Sequence, residues 1–311
     1  MNLENRLKSV YNKKIINTSF FKGNQLPVFW LLIAPSVILI TAFILYPVFN
    51  TLFYSVYKWN GFGPLVDFQG FRNFERIFSD QRFWNALKNS GIIVIFSIVF
   101  QLPIAFMLAL IISRNNSKGI IVFRTIFFLP FIFSEIITGT IWTFIYHPTN
   151  GVLNYFFEVF FPNANYTGLL SSPDTVFGAI LFVVFWKYFG FHLIIYVAGM
   201  QGIPKEYYEA ARIDGAKAHH ILRHITLPLM KPALQMSLFF SIIGSIQIFD
   251  MVWAMGQGDP VHAGETAVVY LFKFAIKQQK LGLGSAIAII IFLICLVFNI
   301  FYQKVINEEK A

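Results

Sequence analysis

Six long apolar stretches decide what this chain can fold into. They cover approximately residues 28–54, 90–112, 125–146, 176–200, 233–255 and 283–301. Each is long enough for an α-helix to cross a hydrocarbon layer, which takes roughly 20 residues. Inside lipid the backbone must satisfy its own N–H and C=O groups, so these stretches are predicted to be helices. Composition agrees with that reading. The chain is 57% hydrophobic and 13% charged, whereas a soluble domain carries about 25% charged residues. The expected fold class is all-α integral membrane. One six-span domain would occupy 28–303, between polar segments at 1–27 and 304–311.

Charge gives the orientation. Of the 24 Lys and Arg, fifteen fall in the N-terminal segment, the connections 113–124 and 201–231, and the tail. Eight fall in the connections 55–88, 147–174 and 256–282, and Lys187 lies within a span. The positive-inside rule then puts both termini and 201–231 in the cytoplasm. The net charge of +9 does not point to nucleic acid, because the basic residues are spread by membrane side and not gathered in one patch. The first 25 residues are polar and basic with no short apolar core, so the first span is expected to act as its own insertion signal. The single cysteine, Cys295, offers neither a disulfide framework nor a Cys-based metal site. His192, His219, His220 and His224 show no H-E-x-x-H spacing and read as surface or packing histidines. No G-x-x-x-x-G-K-[ST] loop is present, so the sequence shows no phosphate-cradling motif of that kind.

The segment 201–232 is the long polar interruption of the second half. Pro204 suits a first helical position, and Glu206 and Glu209 suit the positive end of a helix dipole. Gly215 suits a left-handed turn. Residues 216–224 are predicted to form a second short helix, stopped by Leu227-Pro228. Within the segment, Glu209-Ala210-Ala211 is followed after three residues by Gly215, and nine residues later by Ile225-Thr226-Leu227-Pro228. This resembles the EAA signature of membrane subunits of bacterial ATP-binding-cassette importers, in their carbohydrate-uptake branch. Asn73-Phe74, Phe128-Leu129-Pro130, Gly151-Val152-Leu153-Asn154 and Phe249-Asp250 also resemble that branch. Two places depart from it: Glu135, where an uncharged residue is usual, and the loop Gly256-Gln257-Gly258-Asp259-Pro260.

The resemblance implies a six-helix permease core of the type I importer kind in a bacterial cytoplasmic membrane. It implies a second permease subunit, two cytoplasmic ABC ATPase subunits that hold ATP and Mg, and an extracytoplasmic sugar-binding protein. The chain itself would hold no cofactor and catalyse nothing. The first helix of the segment would insert into a cleft of an ATPase. Glu209 and Asp214 would make polar or charged contacts with the ATPase or with the loop itself, Ala210 and Ala211 would allow close packing, Gly215 would allow the bend, and Ala216 belongs to the same element. Ile225, Leu227 and Pro228 complete the coupling element.

Charges at membrane depth are costly unless paired or wetted, so Glu135, Lys187 and Asp250 are candidate pathway residues. Trp142, Trp186, Tyr188, Gln247 and Trp253 would add stacking faces and hydrogen bonds suited to a sugar. The structural alternative is that Lys187 pairs with Glu135 or Asp250 and only holds the bundle together. Glu135 also leaves open a charged sugar or glycerol-phosphate as the solute. A secondary transporter would call for more spans and internal repeats, and an intramembrane enzyme for a catalytic pair that is not evident.

Overall fold

The computed structural model describes residues 26–113, 117–162 and 166–308. The basic N-terminal segment, Arg114 and the last three residues lie outside the described residues. The chain divides into two compact units, Met1–Phe53 and Tyr54–Ala311. In the first, the described residues form one apolar helix, α1 (Phe29–Tyr54, ending one residue into the second unit).

The second unit is a helical bundle. α2 (Arg72–Phe78) precedes α3 (Gln81–Ile112), and α4 (Lys118–Ile132) is followed by α5 (Glu135–Ile145). Then come α6 (Val152–Phe160), α7 (Pro173–Gln201), α8 (Lys205–Ile213) and α9 (Ala218–Gln247). Two short helices, α10 (Asp250–Ala254) and α11 (Ala267–Phe272), lead to α12 (Leu281–Lys304). Among the described residues, five helices are long and apolar enough to cross a membrane, and the α4–α5 pair makes a sixth span if its two parts are taken together.

α7 is the central element: it packs on α3, α4 and α9. Lipid tails are as apolar as leucine, so helices in a bilayer associate by close packing, not by escape from water. Gly190 shows this. A Cβ there would lie 1.8 Å from the Phe127 carbonyl oxygen, so only glycine lets α4 lie this close to α7. Three buried clusters result. One joins α5, α7 and α10 around Tyr146, Ile180 and Met251. A second joins α2, α3, α11 and α12 around Phe83, Tyr270 and Ile287. The third lies at the opposite end, where α3, α7, α8 and α9 meet around Leu193, Tyr208 and Met230.

Three sequence expectations change. The third apolar stretch is not one helix, because α4 and α5 meet at a bend of 100°. Phe133 and Ser134 are extended (ψ 145 and 154), and Ser134 caps α5 by accepting from the Ile137 N–H at 3.2 Å. The fifth stretch does not run through to 255: α9 ends at Gln247, and Asp250 opens a new helix. Leu227-Pro228 does not stop a short helix either, since α9 runs through it without interruption.

The last point has a physical cause. The turn Leu222–Thr226 is a π turn, closed by the Leu227 N–H on the Leu222 carbonyl. This wider turn makes room for the ring of Pro228, which would otherwise press on the carbonyl four residues back. The same device stands before Pro103, at Ser97–Gln101, and before Pro47, at Thr41–Leu45. In each case the sequence is a five-residue π turn, one residue, then proline.

Candidate functional site: a surface helix and an intramembrane cavity

α8 is a nine-residue helix on the end of the bundle where α3 meets α4 and α7 meets α9. Pro204 occupies its N-cap (φ −55, ψ 138), one position earlier than expected. Its C-terminus is a complete Schellman motif. The Ala216 N–H reaches the Ala211 carbonyl at 2.8 Å, and the Gly215 N–H reaches the Arg212 carbonyl at 3.0 Å. Gly215 takes φ +77, the left-handed conformation that this motif needs. The spacing from Ala210-Ala211 to Gly215 and Ala216 therefore encodes a helix stop.

One face of α8 is anchored and the other is free. Tyr208 is buried beside Ile203 and Met230, and its hydroxyl is 3.4 Å from Thr226 Oγ1. Ile225 packs on the same cluster, while Leu227 and Pro228 are exposed. Tyr207 and Ile213 are 53% and 87% exposed, and Ala210 and Asp214 are exposed with them. Glu209 lines a cleft of about 400 Å³ with Gln201, Lys205, Arg212 and Ser113. Gln201 donates to the Ser113 carbonyl at 3.3 Å, and Arg124 donates to the carbonyls of Ile112 and Ser113. These contacts tie the end of α3 to α4 and to the end of α7.

The second site lies inside the bundle, at the α4–α5 break. Breaking a helix frees a carbonyl, and a freed carbonyl in a membrane must find a donor. Lys187 supplies it, with Nζ 2.6 Å from the Phe133 oxygen. Glu135 sits in the first turn of α5, where the helix dipole favours an acid, and accepts a hydrogen bond from the Tyr188 hydroxyl. Next to it is a cavity of about 430 Å³ between α3, the α4–α5 break, α7 and α9. Phe131 and Phe191 stack at 4.6 Å, and Phe240 meets Phe191 at 5.7 Å, which gives the cavity an aromatic wall.

The polar side of the cavity is built from Glu135, Tyr188, Ser97, Gln101, His192, Ser241 and Ser245. Ser97 Oγ donates to Gln101 Oε1 at 3.1 Å, which leaves Gln101 Nε2 buried without a partner. Ser241 Oγ is likewise buried without a partner. His192 is held by Ser237, with 2.5 Å between Nδ1 and Oγ. Among the lining residues there is no Lys or Arg.

Of the pathway residues expected from the sequence, Glu135 and Tyr188 line this cavity and the others do not. Lys187 points to the broken backbone. Its pairing with Glu135 or Asp250 is not an ion pair of this structure; its nearest polar contact is a carbonyl. Trp142 and Trp186 pack edge to face at 5.3 Å, in a group with Tyr146 and Phe182. Trp253 stacks on Phe249, meets Phe272 edge to face and lies under the Lys277 ammonium at 5.4 Å. Gln247 and Asp250 are exposed, at the end of α9 and the start of α10. The sequence reading missed Ser97, Gln101 and Ser241. Their signal was present: Ser97 and Gln101 are four apart, and Ser237, Ser241 and Ser245 recur every fourth residue, so each set marks one helix face.

At the far end of the bundle an ion network centred on the buried Glu265 fixes the 256–265 connection. Arg82 makes a two-pronged pair with Glu265 at 2.6 and 2.7 Å, and Lys273 reaches Asp259 at 3.0 Å and Glu265 at 3.4 Å. Asp80 caps α3 and accepts from Tyr270 at 2.7 Å.

A helical bundle with a broken span, a polar and aromatic cavity at the break and a free helix at one end is the architecture of a membrane permease. The comparisons agree. Residues 13–307 match the family described as binding-protein-dependent transport system inner membrane component, and the chain belongs to that family. It is 31% identical over 289 residues to the trehalose/maltose transport system permease protein MalF of Thermococcus litoralis, covering 93% of this chain and 96% of that one. It is 30% identical to the probable starch degradation products transport system permease protein AmyD of Thermoanaerobacterium thermosulfurigenes, covering 91% and 95%. Its fold matches a chain of a bacterial ABC transporter involved in the import of the acidic polysaccharide alginate. That match has a TM-score of 0.78 and 23% identity, over 90% of this chain and 95% of that one. The chain is thus a multi-pass protein of the inner membrane.

Proposed function

We propose that this chain forms half of the translocation pathway of an ATP-driven importer for sugars, chiefly neutral oligosaccharides. The cavity at the α4–α5 break carries the proposal: Gln101 Nε2 and Ser241 Oγ lack partners there, beside the Glu135 carboxyl and a stacked aromatic wall. A sugar offers hydroxyls for the polar atoms and C–H faces for the rings. The absence of Lys and Arg from the lining favours a neutral sugar over glycerol-phosphate or a uronate. The relatives named for trehalose and maltose and for starch degradation products support the same class of solute.

The drive comes from outside the chain. α8 is the docking helix for a cytoplasmic ATPase subunit, with Tyr207, Ala210, Ile213 and Asp214 on its free face. Anchored through Tyr208 and Thr226, it transmits a rigid-body movement of the ATPase to α7 and α9. The Lys and Arg bias supports placing both termini in the cytoplasm. Two ATPase subunits holding ATP and Mg, a second permease and an extracytoplasmic sugar-binding protein complete the assembly. A chain of the alginate transporter crystallised with a periplasmic protein that carries alginate pentasaccharide matches this fold, with a TM-score of 0.77.

The test is uptake of maltotriose into proteoliposomes containing the co-purified transporter and its binding protein. Uptake is expected to require ATP and to stop when the ATPase is left out. Uptake that continues without the ATPase and follows an ion gradient would contradict the proposal.

A further inference from the structure

On the end of the bundle opposite α8, the connection after α1 folds back over the start of α12. The Gly282 N–H donates to the Trp59 carbonyl at 2.9 Å, and Asn73 holds the carbonyls of Ser55 and Tyr57 at 2.8 and 3.0 Å. Between these elements lies a second cavity, of about 370 Å³. Lys58, Arg76 and Lys280 line it, with the amides of Asn60 and Gln279 and the ring of Trp59. No Asp or Glu lines it. Lys58 and Arg76 have no ion pair among the described residues, and Lys280 donates only to the Gln278 amide, at 2.8 Å.

Two further observations locate this cavity. It lies within a few residues of the end of one apolar span, Phe29–Tyr54, and the start of another, Leu281–Lys304. That is the level at which a bilayer presents its headgroups. Around it Phe62, Val66, Phe68 and Phe71 are 73%, 83%, 67% and 75% exposed. Apolar side chains this open on one loop mark a surface that rests on something apolar. Basic residues on this side also run against the positive-inside bias, so they call for a role of their own.

We infer that this cavity binds the headgroup of an anionic phospholipid in the leaflet on the side opposite α8. The lipid phosphate sits among Lys58, Arg76 and Lys280, the headgroup hydroxyls meet Asn60 and Gln279, and Trp59 sits at the interface as such rings do. Phe62, Phe68 and Phe71 rest on the acyl boundary. The site is separate from the cavity at the α4–α5 break and does not depend on what the transporter carries.

The experiment is native mass spectrometry of the full chain, with the subunits that co-purify, from nanodiscs of phosphatidylcholine and phosphatidylglycerol. Wild type is expected to retain phosphatidylglycerol over phosphatidylcholine. Each cation near a lipid surface contributes roughly a fivefold gain in binding, so Lys58→Gln/Arg76→Gln/Lys280→Gln is expected to lower retention about a hundredfold. If the triple variant does not fold, Lys58→Gln/Lys280→Gln is expected to lower retention about 25-fold. Lys58→Arg/Lys280→Arg is expected to keep the lipid. Equal retention of the two lipids by wild type, or unchanged retention by the glutamine variants, overturns the inference. So does equal thermal stabilisation by inorganic phosphate, which would mean a free-anion site. Unchanged lipid retention with lost capture of the soluble binding protein would assign the surface to a protein partner and likewise overturn it.

Discussion

The Lys187 ammonium lies 2.6 Å from the carbonyl oxygen of Phe133, the residue at which the third span breaks. A buried lysine in a membrane helix is normally suspected of touching solute. Here it satisfies a backbone group that the break has exposed, and so it stabilises the 100° bend that opens the cavity. Lys187→Met leaves that carbonyl buried without a donor. A loss of about 1–3 kcal/mol is expected, read as a lower Tm of the purified transporter. An unchanged Tm would mean that the carbonyl has another partner.

Glu135 accepts from Tyr188 and faces the cavity. Glu135→Gln keeps the shape and removes the charge. Charge-assisted hydrogen bonds exceed neutral ones by roughly 1 kcal/mol or a little more. ATP-driven uptake of maltotriose is expected to fall about five- to tenfold while the sugar affinity of the binding protein is unchanged. Trigalacturonate, whose carboxylates the Glu135 charge would repel, is expected to compete better in the variant. Equal uptake of both sugars by wild type would remove Glu135 from the solute path.

Gly215 has φ +77 and open space where a Cβ would stand. The penalty for a side chain there is conformational, about 1–2 kcal/mol, and not steric. Gly215→Asn, which tolerates the left-handed region, is expected to keep most ATPase recruitment. Gly215→Val, β-branched, is expected to lose it while the chain still inserts. Co-purification of the ATPase with each variant measures this. Equal recruitment by both would detach the turn from coupling.

The 256–265 connection gives a pH dependence. Burial alone would raise the Asp259 pKa, but the hydrogen bond from Lys273 and the charges of Lys273 and His262 outweigh it. The carboxyl therefore titrates below its ordinary 3.8. A depressed carboxylate pKa adds stability above the unfolded value, and that stability is lost as pH falls through the folded one. Asp259 is 45% exposed, so solvent screening keeps the contribution small. Asp259→Asn is expected to melt lower than wild type at pH 7, with the difference closing below pH 3.8. A difference that persists there would point to packing and not charge.

The spans and the helix and turn at 205–216 were legible in the sequence because both rest on local rules. Runs of apolar residues fix the spans, and the spacing of Ala211, Gly215 and Ala216 fixes a Schellman stop. The break after α4 was less legible. Pro130 lies inside α4, and the stop comes at Phe133, where Ser134 caps the next helix and Lys187 covers the open carbonyl from another span. The same limit hid most of the cavity lining. Charge drew attention to Lys187 and Asp250, whereas the cavity is lined by Gln101 and Ser241, whose four-residue repeats are quiet in composition and plain only on a helix face. Pro228 misled in a related way, because a π turn let α9 continue through it.

The central claim is that the cavity beside Glu135 is the passage. Cys295 is the chain's one cysteine, so Cys295→Ser gives a background in which Ser241→Cys can be labelled alone. With the assembled transporter in liposomes, a small charged thiol reagent is expected to modify Ser241→Cys. The rate is expected to drop severalfold when ATP and sugar-loaded binding protein are added together. A site that stays unreactive, or one that reacts at the same rate with and without sugar, would contradict the claim.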